Sequence, residues 1–279
     1  MKKISRRSFL AAAGLSVAAL ALTACGGSSA STASSVASSV ASSEAASTSA
    51  AAGELTTVEA GKLTMATNAA FPPYEMTTDA GEFEGIDIET AQAIADKLGL
   101  ELQIDDMDFD AALLSVQQGK ADIVMAGVTV TDERKAVMDF SDSYATGIQS
   151  IIVPEGSDIA FPDDLAGKKI GTQRGTTGYI YCSDDFGDEN VVAYDDGLTA
   201  VQALNNGQVD AVVIDNAPAK EFVAANPGLV ILDTSYAEED YAIGVAKGSS
   251  LKDAVNAALE ELKADGTLQS IVDKYITAE

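Results

Sequence analysis

The 279-residue sequence contains no histidine and no tryptophan, and it has only two cysteines. Without histidine, the Ser-His-Asp and Cys-His catalytic arrangements and histidine-ligated zinc sites are excluded. Glycine-rich phosphate loops of the P-loop and dinucleotide-binding types are missing as well. We therefore expect neither a metal ion nor an organic cofactor.

Positive charge is also scarce in this chain. Lysine and arginine together number 17 against 43 acidic residues, which gives a formal net charge of −26 at pH 7. Cationic side chains occupy positions 2, 3, 6 and 7, so the rest of the chain is more acidic still. Such a chain repels phosphate groups, which excludes nucleic acid as a partner.

The N-terminal 25 residues have the pattern of a lipoprotein signal peptide. The basic positions precede an apolar run, Phe9–Leu22, that is shorter than the roughly 20 residues needed to span a bilayer. Leu22-Thr23-Ala24-Cys25 resembles a lipobox, in which cleavage leaves Cys25 as an acylated N-terminus; the alternative is an ordinary secretory signal with an unrelated cysteine. Ser5-Arg6-Arg7-Ser8-Phe9-Leu10 also resembles a twin-arginine signal, and the choice between Tat and Sec export stays open.

A linker is predicted over residues 26–61, because residues 26–56 are almost entirely serine, alanine, glycine and threonine. Such a stretch buries too little apolar surface to offset the entropy of ordering it. A lipid followed by a flexible tether predicts a protein anchored on the extracytoplasmic face of the membrane. If Cys25 is acylated no intrachain disulfide is possible, and Cys182 is expected to be a small buried apolar residue.

From Lys62 onward the hydrophobic pattern alternates between strands and helices, which is typical of α/β layers with mostly parallel sheets. Asp87 is the predicted N-cap of the first helix. Strands are predicted at Lys62–Thr67, Glu101–Asp105, Ile123–Met125, Lys169–Thr172 and Ala211–Ile214, and helices at Ile88–Leu98, Phe109–Gln118 and, broken at Asp265-Gly266, Ser250–Tyr275. The first of the two helices in Ser250–Tyr275 has a predicted buried stripe, formed by Leu251, Val255, Leu259 and Leu262.

A nine-residue pattern occurs twice. Residues 116–124 align without gaps on residues 204–212, each with a helix end, a glycine and an apolar strand opened by aspartate. This repeat predicts two similar lobes, with Gly127 and Asp215 following the two strands at the ends where α/β sheets bind ligands. Ile148–Val153 and Tyr241–Ala246 are the predicted crossover strands of a hinge between the lobes.

Four motifs follow one another within residues 62–279: Thr67-Asn68-Ala69-Ala70-Phe71-Pro72-Pro73-Tyr74-Glu75, Gly85-Ile86-Asp87-Ile88, Ala126–Arg134 and Phe140-Ser141-Asp142-Ser143-Tyr144. In sequence and in order they resemble the polar amino-acid family of periplasmic binding proteins, the extracellular solute-binding proteins of family 3. The resemblance implies an α/β fold, a two-lobed type II clamshell with two crossover hinge strands. The implied organisation is lobe 1 over 62–147, the first hinge strand and lobe 2 over 148–242, and the second hinge strand with a return to lobe 1 over 243–279.

The resemblance also implies a function. A monomeric, lipid-anchored binding protein would capture one polar amino acid by closing its hinge and present it to an ABC-type permease. Two other functions stay open, a sensory amino-acid-binding module and, less favoured, a dehydratase acting on cyclic carboxylic acids. We expect no enzymatic activity.

An amino-acid ligand needs a cation for its carboxylate and an anion for its ammonium group. Arg134 matches the family's carboxylate-binding arginine, since a guanidinium can hold a carboxylate by two parallel hydrogen bonds; a surface pairing with Asp132 is the alternative. Asp215 resembles the family's amino-group ligand, and it could also cap the following helix. Thr129 would add a hydroxyl, and Gly127 would allow a close backbone approach.

The other predicted ligand-binding residues surround these two. Phe71 and Phe109 are expected to flank the ligand side chain, although buried phenylalanines more often belong to the core. Thr177, at the start of a helix, would complete the carboxylate site on closure. By family position, the remaining predicted contacts are Asn68, Ala126, Gln173 and Thr176.

The identity of the amino acid is left open by the sequence. Asn68 stands where relatives that bind basic amino acids often carry aspartate, which weakens an arginine or lysine assignment. Met125-Ala126-Gly127 resembles both arginine-type and glutamine-type proteins. A basic or amide amino acid is favoured, with cystine or cysteine as a further option.

Overall fold

A computed structural model describes residues 2–3 and 55–276 of the chain. The predicted signal peptide, with Cys25, and the linker as far as residue 54 lie outside the described residues, apart from Lys2–Lys3, which form a short strand. Within the described part, no helix is both long enough and apolar enough to cross a membrane.

Strands and helices alternate along the described chain as the hydrophobic pattern predicts. The strands are β1 (Lys2–Lys3), β2 (Lys62–Thr67), β3 (Ala70–Phe71), β4 (Glu75–Thr77), β5 (Phe83–Glu84), β6 (Glu101–Asp106), β7 (Ile123–Val124), β8 (Met138–Pro154), β9 (Ile170–Gln173), β10 (Val191–Tyr194), β11 (Ala211–Asp215), β12 (Leu229–Ile231) and β13 (Ala237–Ala246). The α-helices are α1 (Ile86–Leu98), α2 (Phe109–Gln117), α3 (Asp132–Val137), α4 (Thr177–Phe186), α5 (Gly197–Asn205), α6 (Asn216–Ala225), α7 (Leu251–Ala264) and α8 (Thr267–Tyr275).

Two groups of three parallel strands have the same topology. In one, β2 lies between β6 and β7; in the other, β9 lies between β10 and β11. In each group, the strand that comes first in the sequence is central. The second lies at the edge of the sheet, and the third lies on the side towards the other group. The parts of the protein built on these groups are called lobe 1 and lobe 2, and the predicted two-lobed α/β fold is confirmed.

The lobes are joined by β8 and β13, the two longest strands, which pair antiparallel from Ala237 opposite Gln149 to Ala246 opposite Met138. β7 pairs with β13 and β11 with β8, so the crossover strands extend both sheets. The crossover strands occur as predicted, but their register is offset: Tyr241–Ala246 pair with residues 138–145. The apolar stretches mark only part of each strand, because the polar residues preceding them also pair.

The nine-residue repeat is present in three dimensions. After α2, Gly119 has a φ of 65°, and the Asp122 carboxylate accepts a hydrogen bond from the backbone N–H of Thr64 at 2.8 Å. After α5, Gly207 has a φ of 68°, and Asp210 accepts one from the backbone of Lys169 at 2.8 Å. In both copies the left-handed glycine turns the chain, and the aspartate ties the new strand to its neighbour.

The first helix of lobe 1 does not begin as predicted. Gly85, with a φ of 129°, is the N-cap of α1, and Asp87 lies inside the first turn with no exposed surface, so the prediction that Asp87 caps this helix was wrong. A Cβ on Gly85 would lie 2.2 Å from the carbonyl oxygen of Tyr74, which explains the glycine. The Asp87 carboxylate instead accepts hydrogen bonds from the backbone of Gly127 and from the Tyr144 hydroxyl.

The helices cover the sheets with the expected apolar faces. Leu251, Val255, Leu259 and Leu262 are buried along α7, as predicted, and α7 and α8 both pack against α1 of lobe 1. Cys182 is also buried, in the apolar cluster of lobe 2. The helices of the C-terminal segment therefore pack on lobe 1.

Candidate ligand-binding cleft

One cavity is lined by residues of both lobes, and its space not filled by atoms, including space open to solvent, is about 330 Å³. Its lining consists of Asn68, Phe71, Glu75, Phe109, Ala126, Gly127, Thr129, Arg134, Gln173, Thr176, Thr177 and Asp215. All eleven residues predicted to contact a ligand are in this set. The structure thus brings together side chains up to 147 positions apart, and it adds one that was not predicted, Glu75.

Arg134 is placed at the cavity by the short helix α3. Thr131 caps this helix by accepting a hydrogen bond from the Arg134 backbone at 3.1 Å. The Arg134 guanidinium donates to the carbonyl of Thr129 at 2.8 Å and to that of Gly175, in lobe 2, at 3.1 Å. It also lies 5.3 Å from the centroid of the Phe109 ring. Two carbonyls leave donors of the guanidinium available for an incoming anion.

The alternative assignment of Arg134 as a surface residue does not hold. Its side chain is buried, whereas Asp132 is exposed and forms an ion pair with Lys135 at 3.6 Å. Burial lowers the pKa of the Arg134 guanidinium, and the negative charge of Glu239 opposes that shift. Arg134 is the one buried cationic side chain in residues 55–276.

Asp215 ends β11 and is also buried. Gln149 Nε2 donates to its Oδ2 at 2.8 Å, and the Tyr241 hydroxyl donates to its Oδ1. Asp215 occupies the N-cap position of α6, but its side chain makes no capping hydrogen bond there. The backbone therefore starts the helix, while the carboxylate faces the cavity.

Acidic side chains outnumber cations in the interior around the cavity. Besides Asp215, the carboxyl groups of Glu75, Asp87 and Glu239 are almost completely buried. Burial, followed by the charge of Glu239, raises the pKa of Asp215 to about 7, and burial raises the pKa of Asp87 to about 6. Since Arg134 alone opposes them, this region favours a cationic group from outside the chain.

Contacts between the lobes join residues that line the cavity. Gln173 Nε2, in lobe 2, donates to Asn68 Oδ1, in lobe 1, at 2.9 Å. The hydroxyls of Thr129 and Thr177 lie 3.5 Å apart. These contacts, with the hydrogen bond from Arg134 to Gly175, place the lobes in a closed arrangement.

The two phenylalanines line the cavity and also belong to the core. Phe71 and Phe109 are 8% and 6% exposed, and each belongs to an apolar cluster of the core while also lining the cavity. Phe71 stacks on Tyr74 with ring centroids 5.8 Å apart. Their packing fixes rigid apolar walls beside the polar ends of the cleft.

The helix α4 presents its N-terminus to the cavity. Thr176 is its N-cap and accepts a hydrogen bond from the backbone of Tyr179 at 3.3 Å, and Thr177 begins the helix. The first backbone N–H groups of a helix lack internal acceptors and favour anions. This arrangement suits a carboxylate that reaches lobe 2.

Sequence reasoning missed four residues around the cleft. Glu75 lies inside one of the family motifs, and its position directly after Pro-Pro-Tyr is a signal that the sequence offers. Gln149 also donates to Glu239 at 2.9 Å, and Tyr241 bonds Asp215. Alternation along β13 places Glu239 on the buried face with Tyr241. Extending the predicted strand to residue 239 would have indicated this.

Two α/β lobes on two crossover strands, with a charged cleft between them, define the class of clamshell solute-binding proteins. Residues 63–278 match the family of bacterial extracellular solute-binding proteins, family 3, and the chain belongs to this family.

Known relatives bind amino acids. The chain is 33% identical over 226 residues to the L-cystine-binding protein TcyJ of Escherichia coli (strain K12). The alignment covers 79% of this chain and 85% of the relative. It is 34% identical over 202 residues to the ABC transporter glutamine-binding protein GlnH of Bacillus subtilis (strain 168), covering 71% and 74%. The structure of an ancestral arginine-binding protein bound to glutamine superposes with a TM-score of 0.75 at 42% identity, covering 78% of this chain and 99% of that one.

Proposed function

We propose that this protein binds a polar amino acid, with a basic or amide side chain, outside the cytoplasm and delivers it to an ABC-type importer. The observation that carries the proposal is the pairing of opposite charges in one cavity, with buried Arg134 in lobe 1 and buried Asp215 in lobe 2. A zwitterion with a side chain fits that pattern. The cystine, glutamine and arginine specificities of the relatives' names support an amino acid and leave its identity open.

Each polar group of the ligand has an assigned partner in this proposal. The carboxylate binds Arg134 and the N-terminus of α4 at Thr177, and the ammonium group binds Asp215 with help from Thr129. Phe71 and Phe109 flank the side chain. Its polar end lies near the remaining predicted contacts, Asn68, Ala126, Gln173 and Thr176, and Gly127 allows a close approach of the backbone.

Hinge closure is the proposed mechanism. Ligand first binds lobe 1 (62–147), and lobe 2 (148–242) then closes over it, while residues 243–279 return to lobe 1. The pairing of β8 with β13 shifts register between Tyr241 and Ala242 and again between Ala242 and Gly244. Such irregularities allow bending at the crossing point. Because the bound ligand contacts both lobes, it stabilises the closed form that a permease would recognise.

The proposal includes export and a lipid anchor. Residues 1–25 would be removed and Cys25 acylated, and the linker would tether a monomeric body to the membrane. Metabolic labelling with a radioactive fatty acid should label the wild-type protein and not a Cys25→Ala variant. Labelling of both proteins would contradict acylation at this residue.

Calorimetric titration tests the binding function directly. Purified protein, freed of carried-over ligand by reversible unfolding, is titrated with each common amino acid and with cystine. We expect 1:1 binding of one amino acid or a few related ones, at micromolar affinity or tighter, which corresponds to about −8 kcal/mol or below. A folded protein that binds none of them would contradict the proposal. A prephenate-like cyclic acid is expected to remain unconverted.

Asn68→Ala is expected to weaken ligand binding by roughly 3- to 10-fold. The substitution removes the hydrogen bond from Gln173, which joins the lobes only when they are closed, and one such bond contributes about 0.5–1.5 kcal/mol. Titration of both proteins with the best ligand measures the change. Gln92→Ala, on the exposed face of α1, is a matched amide control. Unchanged affinity in Asn68→Ala would show that this contact does not contribute to closure.

A further inference from the structure

Glu75 occupies an unusual position for a carboxyl group. It is the first residue of β4, it has no exposed surface, and it lines the same cavity as Asp215. No N–H or hydroxyl group of the described chain donates to its side-chain oxygens, and its side-chain hydrogen bond is to another carboxyl group, that of Asp87. A buried carboxylate without such a donor is costly, so the structure leaves this group in need of a proton or a cation.

The ionisable groups around Glu75 provide no positive charge. They come from its own hairpin, from α1, from β6, from β8 and from the end of β11, and they are Tyr74, Asp87, Asp106, Tyr144 and Asp215. All are acids or phenols. Burial, and then the negative charge of Asp87, raises the pKa of Glu75 well above its usual range.

Of these groups, Asp87 makes the largest contribution to the raised pKa of Glu75. Its Oδ2 accepts hydrogen bonds from the backbone of Gly127 at 3.0 Å and from the Tyr144 hydroxyl at 2.8 Å, while its Oδ1 has no donor. A proton on Glu75 would satisfy that oxygen, because two carboxyl groups can share one proton. Since burial raises the pKa of Glu75 well above its usual range, we expect the shared proton to reside on Glu75 in the empty site.

We propose that Glu75 is a second carboxyl group of the ammonium site, exchanging its proton for the α-ammonium group of the ligand. This inference rests on the proposed function. An ammonium group has three N–H donors, and each oxygen of Asp215 already accepts a hydrogen bond from the protein. Glu75, from lobe 1, supplies a further acceptor to the same cavity.

The exchange is balanced in charge and in protons. The ligand's positive charge enters, the Glu75 O–H bond breaks, and the proton leaves to the solvent; no covalent bond to the ligand forms. Since the ligand binds the ionised form, the affinity rises with pH until Glu75 is ionised in the free protein. The site therefore favours an unsubstituted primary ammonium group, whatever the side chain.

The test compares wild-type protein with Glu75→Gln and with Glu84→Gln, an exposed acid on the neighbouring strand β5. Each is titrated calorimetrically with arginine, citrulline, glutamine and cystine, in two buffers of different protonation enthalpy. For every probe that binds the wild type, we expect release of protons, fewer of them from Glu75→Gln, and an affinity about 10- to 100-fold weaker in that variant. Glu84→Gln should match the wild type.

Three results would overturn the inference. The first is unchanged affinity and proton release in Glu75→Gln. The second is a loss of affinity confined to arginine, which would place Glu75 at the ligand side chain. The third is a wild-type affinity that does not change with pH. The last measurement needs no variant and so stands even if Glu75→Gln does not fold. Absence of binding by the wild type to any amino acid is a separate result, because it contradicts the proposed function itself.

Discussion

Arg134→Ala is expected to weaken amino-acid binding by about two to three orders of magnitude. Truncating one partner of a buried, hydrogen-bonded charge pair costs about 2–5 kcal/mol. In this protein the loss is compounded, because Arg134 is the one buried cation of residues 55–276 and faces several buried acids. Without it, the ligand carboxylate would enter a strongly negative cavity. Its contact with Gly175 across the cleft is lost as well.

The measurement is calorimetric titration with the best ligand, at constant pH. Arg174→Ala is the matched control, since Arg174 is exposed, lies one residue from the cavity and pairs with Asp195 only at 3.8 Å. We expect near-wild-type affinity in Arg174→Ala. The affinity of Arg134→Lys should lie between those of Arg134→Ala and the wild type, because an ammonium group cannot bind a carboxylate by two parallel bonds. A tenfold loss or less in Arg134→Ala would remove this residue from the carboxylate site.

The ligand-free protein is expected to be more stable near pH 5 than near pH 8, by roughly 3–5 kcal/mol. The pKa of Asp87 is raised to about 6 and that of Asp215 to about 7, both first by burial. A raised acid pKa means that the folded state holds more protons than the unfolded state, so stability falls as pH rises. The loss begins near the unfolded pKa of about 4 and ends once pH passes the folded pKa.

Urea unfolding of ligand-free protein across this pH range measures the effect. Asp215→Asn should flatten the upper part of the profile, because an amide does not ionise, whereas Asp163→Asn, on the exposed surface, should leave it unchanged. A saturating amino acid should also reduce the slope, since its ammonium group neutralises the buried carboxylates. A profile that rises from pH 5 to pH 8 would contradict the charge arrangement described above.

The same buried acids link binding to pH. If Glu75 gives up a proton when the ligand arrives, acidic conditions weaken binding even though they stabilise the empty protein. Affinity and stability then change in opposite directions with pH. A purely structural role for these carboxyl groups would change stability alone.

Local sequence determined the elements and the repeat of this protein. Gly119 and Gly207 stop two helices and Asp122 and Asp210 start two strands, because left-handed glycine and short-range hydrogen bonding act over a few residues. Family motifs additionally indicated which residues would meet at the cleft, and all eleven line one cavity.

Only the tertiary structure decided the electrostatics of the cleft. Asp87 looked like a helix cap from its neighbours in sequence, but it supports Gly127, 40 positions away. Gln149 bridges Asp215 and Glu239, which are 66 and 90 positions distant. The pKa and role of a buried carboxyl group depend on which charges and donors fold against it, and nothing in the sequence around Asp87 or Glu75 states that.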